Sequence, residues 1–421
     1  MPDALSIRTA LDKEFRPLSG DFLQTIMIEL TPGRGLSRLP LNLGILLDVS
    51  HSMQGTKLEN AKQACSLLLN QLSPEDRAAV CVFSSGARTV VPSQVFTGGA
   101  SEAQRAVSAL RVEGATDIMA GLNQVYTEVA PRHSPHVTTF VILLSDGEPT
   151  DHEGYIDTDL EKFLRRADDE FKRHGMSLST IGLGPASDYD ASFLRDLADR
   201  GSGKFLMAKN PQELVDVFQD EFGRISSTVI ADVTLEVTRL NGIARRFWRV
   251  VPDKKVFDAP KAVNNSLTIP IGSLQNDQPQ AYLLDVVTAP PAENVGRGLL
   301  CQVAATATVG GRPVRAEQNV LVSYSDNDVE LAQRNNEVTR LIEEANDFKL
   351  QVDLENAVKT GDKRKMTSIL QTKKKMTQRL GKTTATKVLE EMEDTLASGG
   401  DITPDELAVS SVESKKTKRL A

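Results

Sequence analysis

Three short segments of the chain carry oxygen-bearing side chains at spacings suited to holding a cation. The first reads Asp48-Val49-Ser50-His51-Ser52, with a carboxylate and two hydroxyls at alternate positions. In extended backbone, or at the opening of a turn, alternate side chains project to one side. The second segment is Gly114-Ala115-Thr116-Asp117, and the third is Leu143-Leu144-Ser145-Asp146-Gly147-Glu148. Singly, each is ordinary, because Asp and Ser at strand ends commonly form turns or cap helices. Jointly, Asp48, Ser50, Ser52, Thr116 and Asp146 offer carboxylate and hydroxyl oxygens, the hard donor set that Mg²⁺ accepts together with water. Asp117 and Glu148 read first as cap and surface residues, with support of the ligands as the alternative. The histidines His133, His136, His152 and His174 have no zinc-ligand or catalytic spacing.

Such a site needs elements that bring three loops together. From Leu41 to about Ile225, short apolar runs alternate with amphipathic segments, which predicts a doubly wound, mostly parallel α/β sheet with helices on both faces. The expected strands are Leu41 to Leu47, Ala79 to Phe83, Val137 to Leu144, Ser177 to Leu183 and Lys204 to Ala208, with Thr89 to Val91 as an antiparallel edge. Leu58, Ala61, Cys65, Leu68 and Leu72 mark one covering helix, and Ile118, Leu122, Val125 and Val129 another. A further helix opens at Asn210-Pro211-Gln212-Glu213, where Asn can cap, Pro suits the first turn and Glu complements the dipole. In open α/β sheets, ligands bind outside the carboxyl ends of the strands, where Asp48 and Asp146 fall.

The combination of Asp-x-Ser-x-Ser, Gly-x-Thr-Asp and a strand running into Asp-Gly resembles the metal-ion-dependent adhesion site of von Willebrand factor A (vWA) domains. The likeness runs over roughly Leu41 to Ile225. It implies a Rossmann-like vWA fold in which Ser50, Ser52 and Thr116 supply hydroxyl ligands, while Asp48 and Asp146 bind directly or through water. His51 would occupy a variable position of that motif. The implied ion is Mg²⁺, with Mn²⁺ or Ca²⁺ as alternatives, and a protein partner's Asp or Glu would complete its shell. The implied function is a metal-dependent protein–protein interaction module, not an enzyme. More broadly, the chain resembles bacterial vWA proteins with flanking β-sandwich and helical regions, and the arrangement of inter-alpha-trypsin inhibitor heavy chains. Those extracellular proteins carry secretion signals, a feature not read at Met1 to Arg16 here.

With 421 residues the chain exceeds what one core usually supports. Alternation returns after Ser227, in Val229 to Val237, Ser266 to Ile271, Ala281 to Val287, Leu299 to Val309 and Gln318 to Val322, and predicts antiparallel strands. Ala4 to Arg16 and Asp21 to Leu30 also read as extended, so the α/β sheet is expected to be inserted in a split antiparallel β-sandwich. Beyond Asp326 the pattern becomes helical, on stripes such as Leu341, Ile342, Ala345 and Phe348, then Val388, Leu389, Met392 and Leu396. The expected units are residues 1–40 (N-terminal β segment), 41–227 (vWA), 228–325 (β-sandwich), 326–398 (helical region) and 399–421 (mobile tail, with Lys415, Lys416, Lys418 and Arg419).

A net charge of −8 argues against general nucleic-acid binding. Lys363, Arg364, Lys365, Lys373, Lys374 and Lys375 form a basic segment without aromatic neighbours, which reads as a solvated helix face. Apolar runs such as Phe140 to Leu144 are too short to span a bilayer, and three scattered cysteines, Cys65, Cys81 and Cys301, suit free thiols in the cytoplasm. Gly201-Ser202-Gly203-Lys204 fails the phosphate-loop pattern, because Ala198 stands where the first glycine belongs and Phe205 follows the lysine. Two alternatives stand beside the interaction module: a subunit assisting a separate AAA+ ATPase of the chelatase or remodelling type, and a metal-dependent hydrolase, for which no general base is identified.

Overall fold

The computed structural model describes residues 4–417, apart from 98, 211, 258–260 and 292–295. Pro211 of the expected helix start, and Lys418 and Arg419 of the expected tail, lie outside the described residues. The chain opens with β1 (Leu5–Leu11), β2 (Phe15–Pro17) and β3 (Phe22–Pro32). It then passes through β4 (Leu41–Asp48), α1 (Thr56–Gln71), β5 (Arg77–Phe83), β6 (Ala87–Val95), α2 (Ser101–Ser108) and α3 (Ile118–Val129). The same layer continues with β7 (Thr138–Ser145), α4 (Glu161–His174), β8 (Ser177–Leu183), α5 (Ala191–Arg200), β9 (Ser202–Ala208) and α6 (Glu213–Ser226). Next come β10 (Thr228–Thr238), β11 (Ile243–Val251), β12 (Lys255–Val256), β13 (Leu267–Gln275), β14 (Gln280–Thr288), β15 (Arg297–Val309) and β16 (Arg312–Ser325). The helices α7 (Asp328–Ala332), α8 (Asn336–Lys359), α9 (Lys363–Arg379), α10 (Thr383–Ala397) and α11 (Pro404–Lys415) follow.

The α/β sheet has the order β6-β5-β4-β7-β8-β9 and is parallel except for the edge strand β6. Every residue of β4 and β7 is buried, as continuous apolar strands are when helices cover both faces. Leu58, Cys65 and Leu68 of α1 join Leu214 and Phe218 of α6 on one face, and Leu122, Val125 and Phe193 lie on the other. At Gly44 a Cβ would come within 2.6 Å of Val125, so the bare glycine lets α3 pack directly on β4. The strand after β4 in sequence, β5, lies on one side of it and β7 on the other, which makes the carboxyl end of β4 the topological switch point.

The remaining strands form two sheets, β1-β3-β14-β11-β12 and β13-β10-β15-β16-β2. β3 pairs antiparallel with β14, Ile28 opposite Tyr282, so strands from before and after the α/β layer share one sheet. Their inward residues, including Ile26, Ile28, Leu284, Leu235 and Val303, make a common core. The insertion is possible because its entry and exit touch: Leu39 N–H donates to the Thr228 carbonyl at 2.8 Å. Beside that contact, buried Asp76 accepts from the Leu41 and Ser73 amides at 2.9 and 2.8 Å and pairs with Arg38 at 2.9 Å, fixing where β4 begins. Simple alternation misses β11, because its first residues, from Ile243 to Arg246, stay largely exposed and only Phe247 to Val251 turn inward.

Helix α8 covers the outer face of the first sheet, with Val338, Ala345 and Phe348 packed on Met27, Trp248 and Leu283. Two expectations are corrected in this region. Lys373 does not belong to a solvated face: it is 1% exposed and its ammonium meets Asp347 at 2.6 Å, while Lys382 meets Asp347 and Glu344 at 2.9 and 2.7 Å. Within the expected mobile tail, residues 404–415 instead form α11, started by a capping box between Thr403 and Glu406 with Pro404 in the first turn. Ala408 of α11 enters the α/β core, and Ser410 Oγ donates to Gln351 of α8 at 2.7 Å, so packing holds a segment that composition left polar. No helix among the described residues is long and apolar enough to cross a membrane.

Burial works against ionisation of Asp347, yet Lys373 and Lys382 together hold its carboxyl below the usual range. A carboxyl depressed in the folded state stabilises above its unfolded value, about 4, and that stability is lost as pH falls further. Asp347→Asn is therefore expected to cost about 3–5 kcal/mol at neutral pH, by leaving two buried lysines short of a partner. Its denaturation midpoint should also vary less than that of the wild type below about pH 4. Urea melts across pH measure both effects.

Candidate metal centre

Asp48 is the last residue of β4, and Asp146 directly follows the adjacent parallel strand β7. After Asp48 the chain makes a short 3-10 turn at His51–Met53, anchored by fully buried Met53, before Gly55 takes a positive φ of 83° and α1 begins. The Ser50 amide donates to Asp48 Oδ1 at 2.8 Å, and the Ser50 and Ser52 hydroxyls lie 2.9 Å apart, so both serines face the same side. Ser52 Oγ then donates to Asp146 Oδ1 at 2.7 Å, joining the first and third segments.

The second segment is knitted in by backbone contacts. Glu113 N–H donates to Val49 O at 2.7 Å, Asp117 N–H to Ser84 O at 2.7 Å, and the Thr116 amide to Thr150 Oγ1 at 2.8 Å. Gly114, at φ 68°, sits so close to the β5–β6 turn that a Cβ would come 2.6 Å from Ser85 Oγ. A Cβ at Gly147 would lie 3.3 Å from Thr116 Oγ1 and 3.7 Å from Ser52 Oγ, which places the Thr116 hydroxyl beside the other two segments. All five sequence-predicted residues are thus brought to one place. Asp48, Ser50, Thr116 and Asp146 are buried and Ser52 is exposed, so the cluster reaches the surface at Ser52.

A family model described as the von Willebrand factor type A domain matches residues 42–220. The chain contains a vWA domain. Among curated relatives, an uncharacterized protein of Synechocystis is 32% identical over 198 residues, 47% of this chain and 44% of that protein. Inter-alpha-trypsin inhibitor heavy chain H4 of Bos taurus is 27% identical over 234 residues, 52% of this chain and 24% of that one. The chain therefore matches less than half the length of either relative. Over its whole length it shares the fold of a von Willebrand factor type A protein from Catenulispora acidiphila, with a TM-score of 0.85 at 20% identity, covering 100% of this chain and 98% of the other.

Burial pushes the Asp48 carboxyl up to about 7, against hydrogen bonds from Ser50, and nearby Asp146 adds to the rise. A carboxylate pair this poorly solvated calls for positive charge. Lys57, in the first turn of α1, supplies some: its ammonium meets Asp146 Oδ2 at 2.6 Å and Asp188 at 3.6 Å. The structure adds three residues that pattern reading did not single out. Lys57 is one, Ser145, whose hydroxyl donates to Asp48 Oδ2 at 2.8 Å, is another, and Thr150 is the third. Ser145 was accessible from sequence as the strand-end neighbour of Asp146, whereas Lys57 and Thr150 carry no comparable local signal. Asp117 caps α3 by accepting from Ala120 N at 2.9 Å, Glu148 is exposed, and His51 Nδ1 lies 2.7 Å from the Gly114 carbonyl. Among the described residues no group of three or more His, Cys, Asp or Glu side chains is arranged to hold a metal. The donor set here fits a hard cation only because hydroxyls join two carboxylates.

Asp48 is ionised at a cost, so Asp48→Asn is expected to stabilise the protein in chelator at pH 8 by roughly 2 kcal/mol. Thermal melts of the two proteins, run side by side, measure the difference. An unchanged or lower melting temperature for the variant would contradict the reading of Asp48 as an under-compensated charge.

Proposed function

We propose that the vWA domain holds a divalent cation at Asp48, Ser50, Ser52, Thr116 and Asp146 and uses it to bind a protein partner. The observation that carries this reading is the convergence of those five oxygen-bearing side chains at the switch point, with Ser52 opening the cluster to the surface. Oxygen donors alone favour Mg²⁺, with Mn²⁺ or Ca²⁺ as alternatives. Bound there, the ion would supply a Lewis-acidic centre able to accept an Asp or Glu oxygen from the partner.

The chain's own residues do the rest. Asp48 and Asp146 provide the negative charge, and the three hydroxyls add ligands without neutralising the ion further. Ser145 orients Asp48 through its second oxygen. Lys57 balances Asp146 and has Asp188 as a second carboxylate to turn towards. The domain is read as an interaction module and not an enzyme, since these residues act as ligands and counter-charges and the motif's imidazole, His51, is engaged with a backbone carbonyl. The C-terminal helices offer a second contact surface. Buried free Cys65, Cys81 and Cys301 support placing the protein in the cytoplasm.

Calorimetric titration tests the first half. Mg²⁺ or Mn²⁺ should bind saturably, Asp48→Ala and Asp146→Ala should abolish binding, and Ser145→Ala should weaken it by about 10-fold. A tight preference for zinc, or unchanged binding in both Asp variants, would sink the assignment. For the second half, EDTA and Thr116→Ala are each expected to weaken the complex with a protein partner. Replacing the partner's contacting Asp by Asn, or Glu by Gln, should do the same. If all these leave the dissociation constant unchanged, the partner is held elsewhere.

A further inference from the structure

Away from the vWA site, a cleft of about 580 Å³ opens where the three parts of the chain meet. Its walls come from α4 and α5 of the α/β layer, β12 and β13 of the sandwich, and α8 of the helical region. Apolar side chains line much of it, among them Phe171, Phe257, Ile269, Phe348 and Val352. The volume lies within the range of about 300–1,000 Å³ typical of small-molecule sites, and meeting points between domains are where such sites often form.

The cleft carries charges of both signs, and they are not all directly paired. Asp168 is met by Lys172 at 2.7 Å, Asp199 by Lys415 at 2.6 Å, and Asp196 by Arg195 at 2.8 Å, while Glu355 also pairs with Arg195. Each of those four carboxylates is in direct contact with a cation, Arg195 serving two of them. Lys255 differs: it is only 5% exposed, lines the cleft, and has no hydrogen bond or ion pair of its side chain among the described residues. Its ammonium stands instead over two rings, 5.0 Å from the centre of Phe171 and 4.7 Å from that of Phe257. Cation–π contact of this kind holds the lysine in place without satisfying its three donors.

We propose that this cleft binds a small amphipathic carboxylate, with the acid group on Lys255 and the apolar body against Phe171, Phe257 and Phe348. A buried amine with aromatic walls and no directly paired carboxylate among the described residues selects for one negative charge joined to a greasy surface. A bare inorganic anion would leave the apolar wall uncovered, and a neutral alkane would leave the amine unmet. Burial pushes the Lys255 amine down to about 7 and Arg249 lowers it further, while Asp199, Asp168 and Asp253 oppose the fall. A carboxylate arriving beside the amine favours its protonated form, so protons are drawn from the buffer as the ligand binds. The site is independent of the metal reading, and neither reading depends on the other.

Octanoate is a suitable probe. Calorimetry on the full chain at pH 8 should show saturable one-to-one binding accompanied by proton uptake, read from the dependence of the heat on buffer. Lys255→Met keeps an unbranched stem between the rings and is expected to weaken octanoate by at least about tenfold, with octanol affected little. Inorganic phosphate should bind far more weakly than octanoate. In the wild-type protein, reductive methylation mapped by mass spectrometry should modify Lys255 at neutral pH, and octanoate should protect it, a result that holds even if the variant fails to fold. Absence of saturable octanoate binding would overturn the proposal. So would equal affinity in Lys255→Met, equal affinity for phosphate, or methylation of Lys255 indifferent to octanoate.

Discussion

Two carboxylates with almost no access to water, Asp48 and Asp146, stand at the ends of neighbouring parallel strands, and their charge has to be met. Much of the local architecture answers that requirement. Ser50 and Ser145 donate to the two oxygens of Asp48, and Ser52 and Lys57 donate to those of Asp146. These groups are brought in by a 3-10 turn, a strand end and a helix start that meet at the switch point beside β4. Asp48 is fully buried, and burial raises its carboxyl in spite of the hydrogen bonds it accepts, so an Asn would be easier to bury at this position.

The same domain is fixed on its sandwich by groups that resemble one another in kind. Asp76 gathers two amides and Arg38 where the chain enters the α/β layer, and the Leu39 to Thr228 hydrogen bond ties entry to exit. At the opposite end of the chain, α11 returns to the α/β layer: Asp405 accepts from the Ala186 amide at 2.5 Å. That loop also carries Asp188, the second partner of Lys57. A physical line of contacts therefore runs from Asp146 through Lys57 and Asp188 to the C-terminal helix. The buried charges around Asp347, Glu344 and Lys254 then join α8 to the sandwich and to the carbonyl of Ser414 in α11. Removing one member of such a buried pair leaves the other charge uncompensated, so these contacts are costly to break.

The α/β layer was legible in the sequence because its strands are apolar throughout and its helices keep a clean period, as in β4, β7, α1 and α3. Legibility fell where burial is one-sided or polar. β11 begins with exposed residues, and α11 presents Ser410, Ser411 and Ser414 to buried neighbours, so neither has a strong apolar stripe. The capping-box letters Thr403-Pro404-Asp405-Glu406 did mark the start of α11, but a start signal does not say whether the helix finds a surface to pack on. Lys373 shows the same limit, since a lysine in a basic run looks solvated until Asp347, 26 residues earlier, is seen to face it.

By itself, the sequence determined the alternation of strand and helix, the split of the β strands around the α/β layer, and the identity of the oxygen-bearing residues at strand ends. Those follow from local periodicity and residue type, which neighbouring positions carry in full. Only the tertiary structure decided that Ser52 touches Asp146, that Lys57 neutralises it, that Thr116 lies beside both, and that Lys255 faces a cleft with its ammonium over two aromatic rings. Contacts of that kind join residues tens to hundreds of positions apart, and they depend on how the layers stack. Stacking is set by the sum of many apolar burials, and no single stretch of sequence records that sum.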